Sequence, residues 1–283
     1  MSTNQTSVAK VHSRDGTAIA FDRSGDGPAI IFVGGAFQQR SDRGMAQLAA
    51  LLAPRLAVFN YDRRGRGDSG DTEPYAVERE VEDLDALMTE AGGSAFVFGM
   101  SSGAVLALEA ARRLAVTKLA LYEPPFMVDD SGPRPPADHE ARLTELVSSG
   151  RRGDAAEFFM TKVVGMPAEA VAPMRSAPMW PALEELAPTL VYDAAVMGDY
   201  SLPAERVAAV TLPTLVINGE RSDPRLRHAA RALWTVLPDV RHRTLEGQTH
   251  DWAPETLAPV LEEFFAGSTA RGSEQRHARG RLP

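Results

Sequence analysis

The chain has 283 residues, of which 44% are hydrophobic and 24% are charged, proportions typical of a globular protein with a sizeable core. Its 30 lysines and arginines against 38 aspartates and glutamates give a net charge of −8, which argues against binding duplex nucleic acid through a phosphate-neutralising face. The absence of cysteine excludes disulfides, thiolate metal sites and a cysteine nucleophile.

Residues 1–10 lack the apolar core of a secretory signal, and no apolar run approaches the ~18 residues of a membrane span. We therefore expect a cytoplasmic protein that has no membrane partner.

Short apolar runs recur along the chain and predict strands. An alternating stretch at 8–27 contains Asp15-Gly16, a turn signal that predicts a hairpin. Six more strands are predicted at Ala29–Val33, Leu56–Tyr61, Ala95–Gly99, Lys118–Tyr122, Thr214–Asn218 and Arg241–Leu245. Most of these runs are apolar on both faces, which is typical of strands in a buried parallel sheet.

Segments with helical spacing lie between these strands. They are predicted at Asp42–Ala53, Val77–Ala91, Ser102–Leu114, Arg225–Leu237 and Pro254–Phe265. The alternation predicts an α/β fold in which a mostly parallel central sheet is covered by helices on both faces.

One long stretch interrupts this alternation. Residues 124–211 show helical spacing but no convincing parallel strand, and they hold 11 of the 20 prolines and 6 of the 10 methionines. We interpret them as a helical insertion, with 1–123 and 212–266 forming the core. The remaining residues, 267–283, are rich in arginine and poor in apolar side chains, so we expect a disordered tail.

The stretch "AFVFGMSSGAVLALEAARRL" carries the strongest chemical signal. A predicted strand runs into Gly99-Met100-Ser101-Ser102-Gly103 and then into a predicted helix. This is the G-x-S-x-G pattern in its strand-turn-helix context, which exposes the serine hydroxyl on a sharp corner relieved by two glycines. Ser101 is therefore the candidate nucleophile.

A serine nucleophile needs a base to accept its proton. Of the six histidines, His250 lies in a polar loop after the last predicted strand, where its side chain can reach the carboxyl ends of the sheet. We predict His250 as the general base.

Two carboxylates are candidates for the residue that orients this base. Asp223 follows the penultimate strand and gives the chain order Ser101, Asp223, His250, one of the well-known triad orders. Glu123 ends the strand after the serine's helix and is the competitor. We favour Asp223, although it also fits the N-cap of the helix that starts near Pro224.

These residues resemble the α/β-hydrolase superfamily over nearly the whole chain. "FVGGAF" is similar to the family's His-Gly segment after the third strand, with Gly34 at the histidine position. The resemblance implies that the backbone N–H groups of Ala36 and Ser102 form an oxyanion hole. "YDRRGRGDSG" is similar to the family's D-x-R-G-x-G-x-S turn, and 124–211 lies where the family places a helical cap.

The combined evidence predicts a serine hydrolase that cleaves an ester, thioester or lactone of a small molecule with an apolar portion. A metal or diffusible cofactor is not expected. The alternatives left open are a non-hydrolytic enzyme of the same fold, such as a lyase, cyclase, C–C-cleaving or cofactor-free haloperoxidase-like enzyme, and a small-molecule receptor.

Overall fold

An eight-stranded sheet runs through the centre of the computed structural model, which describes residues 8–267. Its strands are β1 (Ala9–His12), β2 (Ala18–Ser24), β3 (Ala29–Val33), β4 (Ala57–Tyr61), β5 (Ala95–Met100), β6 (Val116–Tyr122), β7 (Thr214–Gly219) and β8 (Val240–Leu245). Their spatial order is β1-β2-β4-β3-β5-β6-β7-β8. The first two strands are antiparallel to their neighbours and the other six are parallel.

Eleven α-helices are present in residues 8–267. They are α1 (Arg43–Leu52), α2 (Val77–Glu90), α3 (Ser102–Ala111), α4 (His139–Ser148), α5 (Arg152–Phe158), α6 (Ala168–Val171), α7 (Trp180–Leu186), α8 (Leu190–Met197), α9 (Ala204–Ala208), α10 (Pro224–Val236) and α11 (Pro254–Ala266). No helix in this part of the chain combines the length and apolarity that crossing a membrane requires.

The two faces of the sheet have separate apolar cores. On one face, α1 and α11 pack through leucines such as Leu48 and Leu261 against side chains that include Phe32. On the other face, α2, α3 and α10 form a larger core that continues into the helices between β6 and β7. The predicted α/β-hydrolase fold, with a mostly parallel sheet covered on both faces, is confirmed.

The segment between β6 and β7 contains no strand, and all of its regular structure is helical. It contains α4 to α9, a π-helical turn at Phe159–Val164 and two short 3₁₀ turns. We call residues 124–211 the helical segment. The predicted disordered tail falls almost wholly outside the described residues.

The parallel strands bring their carboxyl ends to one edge of the sheet. Met100 ends β5 opposite Tyr122, which ends β6, while Tyr122 in turn pairs with Ile217 of β7. The residues that follow these strands therefore meet at this edge, where α/β sheets place their binding sites.

Candidate active site

Ser101 lies at the sharp corner between β5 and α3. Its φ of 53° and ψ of −127° fall in a region that non-glycine residues rarely adopt. A Cβ on Gly103 would lie only 2.3 Å from the Val33 carbonyl oxygen, and one on Gly99 would lie 2.6 Å from the Ala104 Cα. Both glycines are therefore required by close backbone contacts around the corner.

His250 is held by Glu123. The His250 Nδ1 lies 2.7 Å from Glu123 Oε2, and the other carboxylate oxygen, Oε1, accepts the Gly219 N–H at 2.7 Å. Glu123 is completely buried, whereas 39% of the His250 side chain is exposed. Because a carboxylate oxygen accepts hydrogen bonds, Nδ1 is assigned as the donor in this contact. Ser101 Oγ has no hydrogen bond to His250 or to any other described residue.

The loop that carries His250 is fixed to the strand that carries Glu123. The hydroxyl of Tyr122, which precedes Glu123, donates to the Thr249 carbonyl at 2.5 Å. On the other side of the loop, the Ala253 N–H donates to Gln248 Oε1 at 2.8 Å. These two bonds limit the movement of the imidazole, and no pattern in the sequence indicates this role of Tyr122.

Asp223 is engaged elsewhere. It caps α10 by accepting the Arg225 N–H at 2.8 Å, and its carboxylate also pairs with the Arg225 guanidinium at 3.0 Å. These hydrogen bonds hold the pKa of Asp223 below its usual range. We had favoured Asp223 over Glu123 as the partner of His250, but the histidine contacts Glu123. The alternative role that we gave Asp223, capping α10, matches the geometry.

The loop after β3 lies directly against Ser101. A Cβ on Gly35 would lie 2.9 Å from the Ser101 Cβ, so only glycine allows this approach. The Gly35 N–H donates to Gln38 Oε1 at 2.7 Å, and Phe37 has a φ of 59°. The N–H of Ala36 has no backbone acceptor among the residues that the structure describes.

The Met100 sulfur joins this loop to the histidine loop. It accepts weak hydrogen bonds from Gln38 Nε2 at 3.2 Å and from Trp252 Nε1 at 3.1 Å. Gln38 also accepts the Gly35 N–H. Met100, the residue before Ser101, therefore contacts the loop after β3 through Gln38 and the histidine loop through Trp252.

A cluster of charged side chains, which we call the ionic cluster, is buried behind this loop and was not predicted from the sequence. It consists of Arg63, Arg66, Glu80 and Asp193, each 2% exposed or less. The only signal in the sequence was the presence of Arg63 and Arg66 at positions that the D-x-R-G-x-G-x-S pattern leaves unspecified. Asp193 comes from α8 in the helical segment and accepts the Ser102 hydroxyl at 2.7 Å.

Among residues 8–267, no three histidine, aspartate or glutamate side chains form a group that could hold a metal ion. A serine hydroxyl and an imidazole are groups that can act as a nucleophile and a base.

Comparison with known proteins identifies the family. The model of the alpha/beta hydrolase family matches residues 30–262. An alpha/beta hydrolase from Sphaerobacter thermophilus DSM 20745 is 56% identical, and the match covers 91% of this chain and 100% of that one with a TM-score of 0.86. No curated protein matches the chain.

More distant structures share the fold alone. The esterase RhEst1 from Rhodococcus sp. ECU1013 is 18% identical, with 93% of this chain and 99% of that one covered and a TM-score of 0.66. A thermophilic esterase from Thermogutta terrifontis is 21% identical, with 92% and 98% covered and a TM-score of 0.67. The family match and the 56% identical structure are decisive, and the chain belongs to the α/β-hydrolase family.

Proposed function

We propose that the protein is a serine hydrolase that cleaves an ester, thioester or lactone of a small molecule with an apolar portion. Ser101 is the nucleophile, His250 the general base and Glu123 the acid that orients it. The 2.7 Å contact between His250 Nδ1 and buried Glu123 Oε2, beside the strained corner at Ser101, is the observation that carries the proposal.

In the acylation step, His250 Nε2 takes the Ser101 proton while Oγ attacks the substrate carbonyl carbon. The Glu123 carboxylate keeps the proton on Nδ1 and stabilises the imidazolium that forms. The protonated His250 then gives its proton to the leaving oxygen or sulfur, and the acyl group stays on Ser101. Water, deprotonated by the same imidazole, releases the acid and restores the hydroxyl.

The carbonyl oxygen becomes negative in both tetrahedral intermediates and needs two hydrogen-bond donors. The N–H groups of Ala36 and Ser102 are the proposed donors. Ala36 follows the glycine that contacts Ser101, and Ser102 opens α3, where the free N–H groups and the helix dipole favour negative charge. This mechanism requires no diffusible cofactor.

The helical segment is the proposed cap over this edge of the sheet. The Phe159 ring packs edge-on against the Phe37 ring, with 5.7 Å between their centroids, so the segment contacts the loop beside Ser101. Phe159, Met160 and Trp180 of this segment are buried, and Met179 is 51% exposed. The apolar character of the segment favours an apolar part of the substrate.

The test is the intact mass of the protein after exposure to a fluorophosphonate, which forms a stable adduct with an activated serine. We expect an adduct on the native protein, none on Ser101→Ala, and much slower labelling of His250→Ala. A panel of p-nitrophenyl esters, thioesters and lactones then identifies the substrate class. A native protein that is neither labelled nor active on any of these substrates would overturn the proposal in favour of a non-hydrolytic enzyme or a receptor.

A further inference from the structure

The buried ionic cluster joins the helical segment to the turn after β4. Asp193 Oδ1 lies 2.7 Å from Arg63 Nη1, and its Oδ2 lies 2.7 Å from Arg66 Nη2. Glu80 completes the cluster, since its two carboxylate oxygens accept from Arg63 at 2.6 and 2.7 Å. Two guanidinium groups thus face two carboxylates, and the formal charges cancel.

The arginines of the cluster also donate to the loop beside Ser101. Arg66 Nη1 lies 2.5 Å from the Gly35 carbonyl oxygen and 3.2 Å from that of Gln38. Arg63 Nη1 lies 3.3 Å from the Gly34 carbonyl oxygen. The Gly35 carbonyl belongs to the same peptide group as the Ala36 N–H. Because hydrogen-bonded groups polarise one another, a cation on this oxygen strengthens Ala36 as a donor and fixes its direction.

Asp193 reaches the second donor through Ser102. Its Oδ1 accepts the Ser102 hydroxyl at 2.7 Å, and the Ser102 N–H is the other proposed donor to the oxyanion. The Asp193 carboxylate therefore contacts the Ser102 side chain directly. Through Arg66 it also acts on the peptide group that carries the Ala36 N–H.

Asp193 remains ionised in this environment. Burial opposes the charge, but Arg66, Arg63 and the Ser102 hydroxyl outweigh it and hold the pKa of Asp193 below its usual value. The same balance of burial against Arg63 lowers the pKa of Glu80. An uncompensated charge at this depth would be strongly unfavourable, so the pairs resist separation.

We propose that Asp193 and Arg66 are positioning residues for the oxyanion hole, so that the helical segment supplies part of the catalytic geometry in addition to covering the site. This inference rests on the proposed function. Asp193 fixes Arg66 on the Gly35 carbonyl and the Ser102 side chain at the start of α3, and the two N–H donors keep their spacing as a result. Neither residue touches the substrate.

The test compares an ester with its thionoester, in which sulfur replaces the carbonyl oxygen. Sulfur is a weak hydrogen-bond acceptor, so a thionoester gains little from the two donors. We expect Asp193→Asn to lower kcat for the ester by about 10–100-fold and to leave KM within about threefold, since a misplaced donor costs rate more than binding. The thionoester rate should fall much less, so the ester-to-thionoester rate ratio should drop.

Asp83→Asn is the matched control. Asp83 is also buried and pairs with an arginine of the same turn, Arg64, at 2.7 Å, but Arg64 donates to Ser13, Asp15 and the Arg79 carbonyl rather than to the loop beside Ser101. The ester-to-thionoester rate ratio of Asp83→Asn should equal that of the native protein. If Asp193→Asn does not fold, Ser102→Ala removes only the hydroxyl that Asp193 accepts, and it should lower the same ratio by a smaller factor.

Two results would overturn the inference while leaving the proposed function intact. One is a native protein that hydrolyses esters and an Asp193→Asn variant with unchanged kcat. The other is an equal loss of ester and thionoester turnover, which would indicate general disorder of the site. A native protein that fails the fluorophosphonate and ester tests would instead overturn the proposed function, and this inference with it.

Discussion

Ser101 and Glu123 follow paired positions on neighbouring parallel strands, and both have a positive φ. Met100 pairs with Tyr122, and the next residues have φ values of 53° and 47°. The Ser101 N–H donates to the Tyr122 carbonyl, and the Glu123 N–H donates to the Ile217 carbonyl, both through the sheet edge. Two strained residues, at a cost of about 1–3 kcal/mol each, are thus held side by side at the carboxyl edge of the sheet.

This arrangement predicts that Glu123 matters to turnover and Asp223 does not. In Glu123→Gln the amide oxygen can still accept the Gly219 N–H, but the amide nitrogen then faces His250 Nδ1 and favours the wrong tautomer. We expect kcat for an ester to fall by about 10²–10⁴-fold. The measurement is steady-state hydrolysis of a p-nitrophenyl ester by the two purified variants and the native protein.

Asp223→Asn is the control for this prediction. Asparagine caps helices as well as aspartate does, so α10 keeps its N-cap and kcat should stay within about twofold of the native value. The reverse result, a large loss in Asp223→Asn and little in Glu123→Gln, would restore Asp223 as the orienting acid.

The strand-turn-helix corner could be predicted because its signals are local. An apolar run, two glycines around Ser101 and a following helical pattern lie within about twenty residues, and the mostly parallel sheet follows from the alternation of strands and helices. The choice between Glu123 and Asp223 depends on which of the two carboxylates the fold brings next to His250. That contact spans 127 residues along the chain, and no periodic pattern encodes it. One local clue was present, since Asp223 before Pro224 is a helix N-cap signal.

The ionic cluster could not be predicted from the sequence either, because its members also lie far apart along the chain. Arg63 and Arg66 lie 130 and 127 residues from Asp193, and a charged side chain in an amphipathic helix is usually solvent-exposed. Only the folded packing of α8 against the turn after β4 shows that these charges are buried together.

The close contact at Gly103 predicts a position where even one methyl group disrupts the site. In Gly103→Ala the new Cβ would lie 2.3 and 2.4 Å from the carbonyl oxygens of Val33 and Gly34, both backbone atoms that move only with the loop. We expect the free energy of unfolding to fall by about 1–3 kcal/mol and kcat to fall about 10²-fold. Urea unfolding and ester hydrolysis measure the two effects.

Gly44→Ala is the matched control for the added methyl group. Gly44 lies in the first turn of α1, and a Cβ there would meet no atom within 4 Å. Because alanine favours helix over glycine, its stability should equal the native value or exceed it by up to about 1 kcal/mol, with unchanged kcat. Equal behaviour of the two variants would show that the Gly103 contact has no role.

The lowered pKa of His242 leads to a prediction of how the free energy of unfolding responds to mild acid. It lies on the edge strand β8, where its Nε2 donates to Asn218 Oδ1 at 2.7 Å. Burial, with a smaller effect from Arg231, holds the pKa of His242 below its ordinary value of 6.5. The unfolded chain therefore binds a proton at this residue more readily than the folded protein does. Stability that is present above pH 6.5 is accordingly lost as the pH falls from there toward the folded-state pKa.

The measurement is the free energy of urea unfolding at steps between about pH 7.5 and 5.5. In His242→Gln, which can still donate to Asn218, the decline should be shallower than in the native protein, because one group that takes up a proton on unfolding is gone. Arg231→Gln should give an intermediate slope, since it removes only the smaller cause of the lowered pKa. A decline that is equally steep in all three proteins would show that the proton uptake occurs at other residues and that His242 titrates alike in the folded and unfolded states.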